Sequence, residues 1–422
     1  MEAEVKCQFT NSDSWNETIK AGEIAQIIKI PDSNERIAAA SDLFIEKIKK
    51  ITLEDSLPGV IICALPLDIE EYCGITEKTR DAKKLEDSIS ENLSDQNNSQ
   101  KLLEEWIVGT EKQIKDEDEE TEKSYDLRNA LKGKAMQFDI PTQILRESVA
   151  RSIFHYPSSK FKTTQTPAAF AWNFSTSLYY KAHGRPWRLA KLTIGTCYVG
   201  IAFYQNKRKP ELNLETSLAQ IFTHNGDGFV LRGADVGIDK ETKEAYLTKA
   251  QARKLLSDSI KKYTYKVENP PSRVVVYKTS PFTDEEKTGF DDAIGDLKKD
   301  YVWVSKRTDL RILRTGKYPV LRGTMMSLTP NQCLLYTSGY IPRIRTYPGH
   351  RVPRPLLITH DGDSELEVIC SEILGLTKLN WNTTVFSKQL PITIEFAQSV
   401  GKILSEIPET IKELKDHYRF YM

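Results

Sequence analysis

The sequence predicts an α/β protein that is divided into two domains. Its 422 residues are enough to form two separate hydrophobic cores. In the first part of the chain, short apolar runs alternate with segments whose apolar residues recur at helical spacing. In the second part, three successive strand-like segments come before a further alternation of helices and strands. This change in pattern indicates two different α/β arrangements within one chain.

The first predicted domain covers residues 1–185. Residues 34–51 have the apolar spacing of a helix, and the run GVIICALP at 59–66 is typical of a buried parallel strand. A second strand is predicted in DIPTQIL, 139–145, and a further helix at 164–182. Strand, crossover helix, strand and helix in this order predict a small Rossmann-like domain.

Residues 76–124 interrupt this domain with an acidic segment. They contain 15 acidic and 8 basic side chains, although the whole chain has 59 of each sign. This composition predicts a helical, partly mobile insertion on the surface. The insertion could dock on a basic surface of a partner, or it could be an ordinary solvated segment.

The second predicted domain covers residues 186–422 and begins with the apolar segment KLTIGTCYVGIAFYQ, 191–205. This segment is typical of a buried strand and opens a three-stranded antiparallel meander. A helix at 248–267 and a buried strand at 272–280 follow, and the C-terminal part has helical patterns. A meander followed by helix–strand alternation predicts a ribonuclease H-like fold.

The segment 301–355 is basic and rich in aromatic residues. It contains ten Lys or Arg side chains and one acidic side chain, Asp309. Tyr and Trp residues are interleaved with these cations, which suits a polyanion that also has faces for stacking. The segment therefore predicts binding of nucleic acid. The alternative is a solvated charged face, although such faces usually mix both signs.

Cysteine usage and hydropathy indicate the cellular compartment of the protein. The six cysteines are scattered without a CxxC pair, which is typical of reduced thiols in a cytosolic protein. The N-terminal residues lack the apolar segment of a signal peptide, and no apolar run is long enough to span a bilayer. We therefore expect a cytoplasmic protein without direct membrane insertion.

Several segments of the second half resemble the PIWI domain of Argonaute proteins. They are YVGIAFY in the first strand, RVVVYKTS after the following helix, LTKLNWNT, LPITIEFAQSVGKIL and the aromatic tail HYRFYM. The preceding α/β part is similar to the MID domain of the same family. The first hundred residues leave no room for the N-terminal and PAZ domains of long Argonautes. The resemblance is therefore to short prokaryotic Argonautes, which consist of MID and PIWI only.

The resemblance implies an inactive nuclease centre. Ribonuclease H-like nucleases clamp the reacting oxygens with paired divalent cations, which require several converging carboxylates. At three of the family's four ligand positions this sequence has Ala202, Thr279 and Gln398. None of these side chains can neutralise a cation, so we expect no target cleavage and do not expect an enzyme. Glu244 is the nearest candidate for the family's mobile glutamate.

Two other classes of function stay open at this point. The first is an active guided endonuclease that uses non-standard carboxylates, for example Asp235, Asp239 or Glu372. The second is a scaffold that binds only protein. Nucleic acid of uniform length and 5′ end that co-purifies with the protein would exclude the scaffold.

The resemblance also implies a pocket for the 5′-phosphate of a guide strand. Such a phosphate carries up to two negative charges and needs several donors. The implied contacts are Arg128, Lys132, Gln143, Asn173, Ser177 and Lys181. The family usually adds Mg²⁺ at this phosphate, and the C-terminal carboxylate, here that of Met422, can help to hold the ion.

Two of the implied contacts depart from the family pattern. Arg128 stands where the family has Tyr or His, so positive charge is kept but stacking on the first base is lost. Ser177 stands where a second Lys can occur, which reduces the charge of the pocket.

Four arginines in a Pro-rich segment of the second domain are assigned to backbone phosphates of the guide or of the guide–target duplex. Guanidinium groups suit the forked contacts that phosphate oxygens accept. These residues are Arg343, Arg345, Arg351 and Arg354.

These residues together predict a catalytically inactive, guide-binding Argonaute. It would hold a guide RNA (or DNA) and pair it with a complementary single-stranded DNA target, so that base pairing reads the sequence. In the resembling proteins, an APAZ-containing effector with a TIR, sirtuin-like NADase, nuclease or membrane-acting domain responds to the target. The resemblance therefore implies prokaryotic immunity against plasmids or phages, with any catalysis in the partner.

Overall fold

The computed structural model divides the chain into two compact units. The smaller unit comprises residues 10–166 and 406–412, and the larger comprises 1–9, 167–405 and 413–422. The predicted acidic insertion, 76–124, lies outside the described residues. The structure describes residues 9–73, 126–154, 166–189, 192–204, 215–223, 227–234, 236, 245–306, 308–344, 352–381, 388–407, 411 and 414–422.

The division falls after residue 166, whereas the sequence analysis placed the boundary after residue 185. The difference concerns the helix Pro167–Lys181, which belongs to the larger unit. Near the end of this helix, the ring centroid of Tyr180 lies 4.4 Å from that of Trp381 and 5.9 Å from that of His417. These aromatic contacts join residues that are far apart in the sequence, so helical spacing could not predict them.

The smaller unit is built around two parallel strands, β1 (Ile61–Leu65) and β2 (Thr142–Arg146), with Ile61 opposite Thr142. The predicted strand at 59–66 and helix at 34–51 are confirmed. Buried apolar residues of helices and strands form one core in this unit. Its helices are α1 (Ala21–Ile28), α2 (Ser33–Ile51), α3 (Leu67–Tyr72), α4 (Leu127–Ala135) and α5 (Glu147–Phe154).

The larger unit contains an eight-stranded sheet with the order β5-β4-β3-β6-β7-β10-β9-β8 among the described residues. Its strands are β3 (Thr196–Tyr204), β4 (Glu215–Phe222), β5 (Gly228–Val230), β6 (Arg273–Lys278), β7 (Lys298–Ser305), β8 (Met325–Thr329), β9 (Gln332–Leu335) and β10 (Leu356–Gly362). Its helices are α6 (Pro167–Lys181), α7 (Lys249–Val267), α8 (Asp284–Ile294), α9 (Leu366–Leu376) and α10 (Ile392–Leu404).

The order of pairing confirms the predicted meander. β4 is antiparallel to both β3 and β5, while β6 and β7 run parallel to β3. The predicted helix at 248–267 and strand at 272–280 are also confirmed. β3 and β6 are almost entirely buried, as expected for strands covered on both faces, whereas half of the residues of β7 are buried.

Candidate functional site

Ala202 and Thr279, two of the three residues that stand at nuclease ligand positions in the resemblance, lie at the same edge of the large sheet. β3 and β6 are parallel neighbours, with Ile201 opposite Lys278. Ala202 and Thr279 each follow that pair by one residue, so both lie near the carboxyl-terminal ends of adjacent strands. The structure thus brings together two residues that are distant in the sequence.

Helix α10 carries the third position, Gln398, on its exposed side. The helix packs closely on β3, because a Cβ atom at Gly200 would collide with the backbone carbonyl of Thr393. Glycine is therefore required at position 200 by close approach of the helix backbone. This contact holds α10 across the strand that contains Ala202.

The groups available at this edge are poor ligands for a divalent cation. Ala202 is buried and has only a methyl group, and Thr279 is exposed with a neutral hydroxyl. The backbone carbonyl of Thr279 accepts a hydrogen bond from Nε1 of Trp303 at 3.0 Å. Within the described part of the chain, no three His, Cys, Asp or Glu side chains are grouped so that they could hold a metal ion.

Glu286, an acidic residue close to this edge, is already paired. Its carboxylate oxygens lie 2.6 and 2.7 Å from Nζ of Lys278, and both side chains are fully buried. The same carboxylate accepts hydrogen bonds from the backbone N–H groups of Leu247 and Thr283. Four hydrogen bonds from three donor groups therefore connect β6, α8 and the segment before α7 through this carboxylate.

Aromatic rings complete the environment of Lys278. Its ammonium group lies 4.8 Å from the ring centroid of Tyr246, 5.3 Å from that of Phe203 and 5.7 Å from that of Phe282. Cation–π attraction is stronger when the cation is desolvated, as it is here. A buried cation thus occupies the core directly beneath the strand end at Thr279.

Glu372, one of the carboxylates considered for an alternative nuclease, is buried in an ion-pair network. Its carboxylate accepts hydrogen bonds from Arg273 at 2.7 and 3.1 Å, from Tyr198 at 2.8 Å and from Thr193 at 3.1 Å. Burial and this carboxylate raise the pKa of Tyr198. Asp235, Asp239 and Glu244 lie outside the described residues.

The same network continues to β7 and β10. Asp300 accepts from Nε of Arg273 at 2.6 Å, from Ser364 at 2.8 and 3.0 Å, and lies 2.7 Å from Nε2 of His360. Burial opposes ionisation, but the hydrogen bonds from His360, Arg273 and Ser364 lower the pKa of Asp300. These carboxylates therefore stabilise the sheet near the amino-terminal ends of β6 and β7.

Three of the predicted phosphate contacts lie in the smaller unit. Lys132 on α4 is buried and donates to the backbone carbonyl of Thr142 at the start of β2. Arg128 is partly exposed and donates to Oδ1 of Asn129 at 3.3 Å. Gln143 on β2 donates to the carbonyl of Ile144 at 3.1 Å. Lys132 thus has a structural contact that the helical spacing did not predict.

The other three predicted contacts lie on α6 in the larger unit. Asn173, Ser177 and Lys181 recur at four-residue steps and therefore lie on one face of this helix. Ser177 and Lys181 are buried, and Asn173 is partly exposed. For both sets, a role in binding phosphate stays a prediction.

Only part of the basic segment 301–355 is available to a ligand. Arg343 and Arg354 are exposed, whereas Arg345 and Arg351 lie outside the described residues. Arg322 donates to Thr377 at 2.7 Å and to the carbonyl of Leu374 at 3.3 Å. Burial lowers the pKa of Arg322, and its contacts show a structural role at the end of α9.

Four of the aromatic residues of this segment pack against other parts of the protein. Tyr301 and Tyr336 are buried in the core, and the hydroxyl of Tyr301 donates to Asp291 at 2.6 Å. Tyr318 and Tyr340 stack on each other with centroids 4.2 Å apart.

The aromatic tail packs into the larger unit. The ring of Tyr418 stacks on Phe396 of α10 with centroids 3.5 Å apart, and Tyr421 and Met422 are buried. Burial lowers the pKa of His417 to about 3, and its neutral Nδ1 accepts from the backbone N–H of Arg419 at 3.2 Å. The role of the Met422 carboxylate stays a prediction.

Sequence reasoning missed the ion pair of Lys388 with Glu395 of α10, whose Nζ and Oε1 atoms lie 3.0 Å apart. The charges of Glu395, Lys388 and Lys402 also act on Lys306, which directly follows β7. Loss of hydration lowers the pKa of Lys306, the charge of Glu395 opposes this, and the charges of Lys388 and Lys402 add to it. No sequence motif signals these interactions, because the residues come from three separate segments.

Comparisons by sequence find no matching family model and no matching curated protein. None of the described helices is long and apolar enough to cross a membrane.

Two solved structures are similar to this chain in fold. The structure of Clostridium butyricum Argonaute bound to a guide DNA and a 19-mer target DNA is 14% identical with a TM-score of 0.53, and the match covers 90% of this chain and 40% of that chain. The crystal structure of Aa-Ago with externally bound siRNA is 17% identical with a TM-score of 0.52, covering 91% and 44%. This chain thus spans less than half the length of either protein, and the fold they share is Argonaute-like.

Proposed function

We propose that this protein binds a short guide nucleic acid and, through base pairing, a complementary target strand that it does not cleave. The observation that carries the proposal is an Argonaute-like fold in which Ala202 and Thr279 lie near the carboxyl-terminal ends of adjacent parallel strands. Nuclease chemistry on such a sheet needs carboxylates at those strand ends to hold paired cations. Without them, binding is the function that the fold can still perform.

The division into a smaller unit with parallel strands and a larger unit with a mixed sheet supports a short, MID–PIWI-type Argonaute. The order β5-β4-β3-β6-β7 is that of a meander followed by two parallel strands, which is the arrangement expected of a ribonuclease H-like PIWI domain. The smaller unit, with its parallel pair β1–β2, would then be the Rossmann-like MID domain. The short match to the longer Argonautes is consistent with this proposal.

The proposed guide is an RNA (or a DNA) with a 5′-phosphate, and the proposed target is single-stranded DNA. In the smaller unit, Arg128, Lys132 and Gln143 would contribute to phosphate binding, and in the larger unit Asn173, Ser177 and Lys181 would do so. Exposed Arg343 and Arg354 would contact backbone phosphates.

Mg²⁺ at the guide phosphate would need oxygen ligands. Among the implied contacts, Gln143 and Asn173 have amide carbonyl oxygens, Ser177 has a hydroxyl, and Met422 adds the C-terminal carboxylate. These oxygen groups fit Mg²⁺, while the ammonium and guanidinium groups suit direct contact with the phosphate. The proposal assigns phosphate binding to the side chains and does not depend on the ion.

We also propose that target recognition activates an associated APAZ-containing effector in prokaryotic immunity against plasmids or phages. A protein that holds a duplex without cutting it needs a second protein to act on the signal. Co-expression with the product of a neighbouring reading frame, followed by affinity purification and addition of guide and target, would test this step.

The test of the central proposal is to purify the chain from cells and sequence the nucleic acid that remains bound. We expect short molecules of uniform length and 5′ end, and no cleavage of a labelled complementary target in Mg²⁺ or Mn²⁺. Absence of bound nucleic acid, together with no affinity for added 5′-phosphorylated guides, would contradict guide binding. Target cleavage that Asp235→Ala abolishes would instead establish the active endonuclease.

A further inference from the structure

Two cysteines are in contact in the interior of the larger unit. Cys333 lies on β9 and Cys370 on α9, and their sulfur atoms are 3.3 Å apart. Both residues are buried, with exposed fractions of 0% and 4%. They are separated by 37 positions in the sequence, so the packing of α9 against β9 brings the two thiols together.

Contacts of both elements hold the two sulfur atoms close to each other. In the sheet, Cys333 is opposite Ile358 of the neighbouring strand β10. On the helix, Glu372 follows Cys370 by two residues and accepts from Arg273 at 2.7 Å. The S–S bond of a disulfide is about 2.05 Å long, so the sulfur atoms need to approach each other by roughly 1.2 Å.

The two thiols differ in how readily they lose a proton. The hydrogen bond with Cys370 lowers the pKa of Cys333, although burial opposes this effect. The same hydrogen bond, together with burial, raises the pKa of Cys370. The thiolate is the reactive form of cysteine, so an oxidant that reaches this pair reacts first with Cys333.

We propose that Cys333 and Cys370 form a reversible disulfide when the protein meets a hydroperoxide. The thiolate of Cys333 attacks one oxygen of hydrogen peroxide, the O–O bond breaks and hydroxide leaves, which gives a sulfenic acid. The sulfur of Cys370 then attacks the sulfenic sulfur, the S–O bond breaks, and the hydroxyl group leaves with the thiol proton as water. The two cysteines lose two electrons, and the peroxide is reduced to two molecules of water.

The edge of the large sheet gives the oxidant access to this pair. β8 is the last strand of the sheet among the described residues, and it is paired with β9. Four of the five residues of β8 are exposed, and an element with few buried contacts opens more easily than the centre of a sheet. Opening of β8 uncovers β9, and the disulfide that forms then connects β9 to α9. This modification does not depend on nucleic-acid binding.

The first experiment identifies the disulfide in the full chain. The reduced protein is treated with hydrogen peroxide under native conditions, then denatured, and the remaining thiols are blocked with N-ethylmaleimide. We expect the loss of two of the six thiols and, by mass spectrometry after proteolysis, two peptides joined through Cys333 and Cys370. Dithiothreitol should restore both thiols, because it reduces the disulfide by thiol exchange.

Cys197→Ala provides the matched control. Cys197 is also fully buried and lies on β3 of the same sheet. We expect this variant to lose two thiols on oxidation, as the wild type does. Cys370→Ala should form no disulfide, and its Cys333 should stop at the sulfenic acid, which dimedone labels. Cys333→Ala should form no disulfide and should take up less of the label, because its remaining thiol is the one that keeps its proton.

The second experiment measures the effect of the disulfide on stability. A bond across 37 positions restricts the unfolded chain, which favours the folded state. We expect oxidation to raise the Tm of the larger unit by about 5–10 °C in the wild type and in Cys197→Ala. The Tm of Cys370→Ala should not rise. This comparison is made within each protein, so a small loss of stability from the substitution itself does not affect it.

The outcomes are decided by the wild type and do not require that every variant folds. Retention of all six thiols after peroxide treatment would overturn the inference. An oxidised product other than the Cys333–Cys370 disulfide would also overturn it, whether a sulfinic acid, a bond to another cysteine or a bond between two chains. Neither experiment uses nucleic acid, so failure of this inference is distinguishable from failure of the proposed function.

Discussion

The two ends of the parallel strands in the large sheet differ in the side chains that they carry. Near the amino-terminal end of β6, Arg273 is buried between Asp300 and Glu372 at 2.6 and 2.7 Å. Near the carboxyl-terminal ends, Ala202 and Thr279 are neutral, and Lys278 is paired with Glu286 at 2.6 Å. The carboxylates of Asp300, Glu372 and Glu286 are thus engaged in structural pairs. The sheet therefore keeps its architecture while the positions of Ala202 and Thr279 have no carboxylate.

Asp300→Ala should lower the free energy of unfolding more than the other substitutions, because it breaks the buried ion-pair network of Arg273, Asp300 and Glu372. The substitution leaves the guanidinium of Arg273 with one carboxylate fewer and removes the acceptor of His360 and Ser364. Loss of one partner from a buried ion pair costs about 3–5 kcal/mol. Urea unfolding, followed by a probe in the larger unit, measures the change. Asp361→Ala is the control, since Asp361 pairs with Lys287 on the surface, and a similar loss there would contradict the prediction.

Glu286→Gln tests the buried Lys278–Glu286 pair near the carboxyl-terminal end of β6. The substitution removes the charge that neutralises buried Lys278 but keeps the size and an acceptor oxygen. We expect a loss of about 2–3 kcal/mol in the free energy of unfolding, below that of Asp300→Ala because cation–π contacts remain. Glu285→Gln, on the exposed side of the same helix, should be close to neutral. Equal effects of the two substitutions would show that the Lys278–Glu286 pair is not structural.

Acidification should lower the stability that the ion-pair network around Asp300 contributes. The pKa of Asp300 is lower in the folded protein than in the unfolded chain, so the unfolded chain binds more protons as the pH falls. The stabilisation is fully present above the pKa of the unfolded chain and is lost as the pH falls through the folded pKa. We expect the free energy of unfolding to decrease below about pH 5, and Asp300→Asn to make this decrease shallower. A parallel pH profile in the variant would contradict the assignment to Asp300.

Arg343→Ala with Arg354→Ala should have the smallest effect and concerns the predicted contacts with backbone phosphates. Both arginines are exposed, so the fold should be unaffected. Loss of backbone contacts should weaken nucleic-acid binding about threefold, equally for all sequences. Fluorescence anisotropy with several unrelated guide–target pairs measures this. A loss confined to one sequence would show base recognition instead.

The local pattern of apolar residues was sufficient to predict many of the strands and helices. The run at 59–66 and the segment at 272–280 were predicted as strands because continuous apolar runs are buried on both faces, and both strands are present. The resemblance, rather than the local pattern, implied that Ala202 and Thr279 occupy one site. The boundary after residue 185 differs from the observed division, because ring contacts of Tyr180 decide where its helix packs.

Residue types and their spacing established the neutral character of Ala202, Thr279 and Gln398, since chemical identity does not depend on folding. The direction of each side chain depends on contacts across the chain. Lys132 turns inward to Thr142, and Arg273 meets Glu372, which is 99 residues away, only in the folded sheet. Charge interactions act over a few ångströms in space whatever the separation in sequence, so the folded sheet, rather than the order of residues, decides which of these charges are paired.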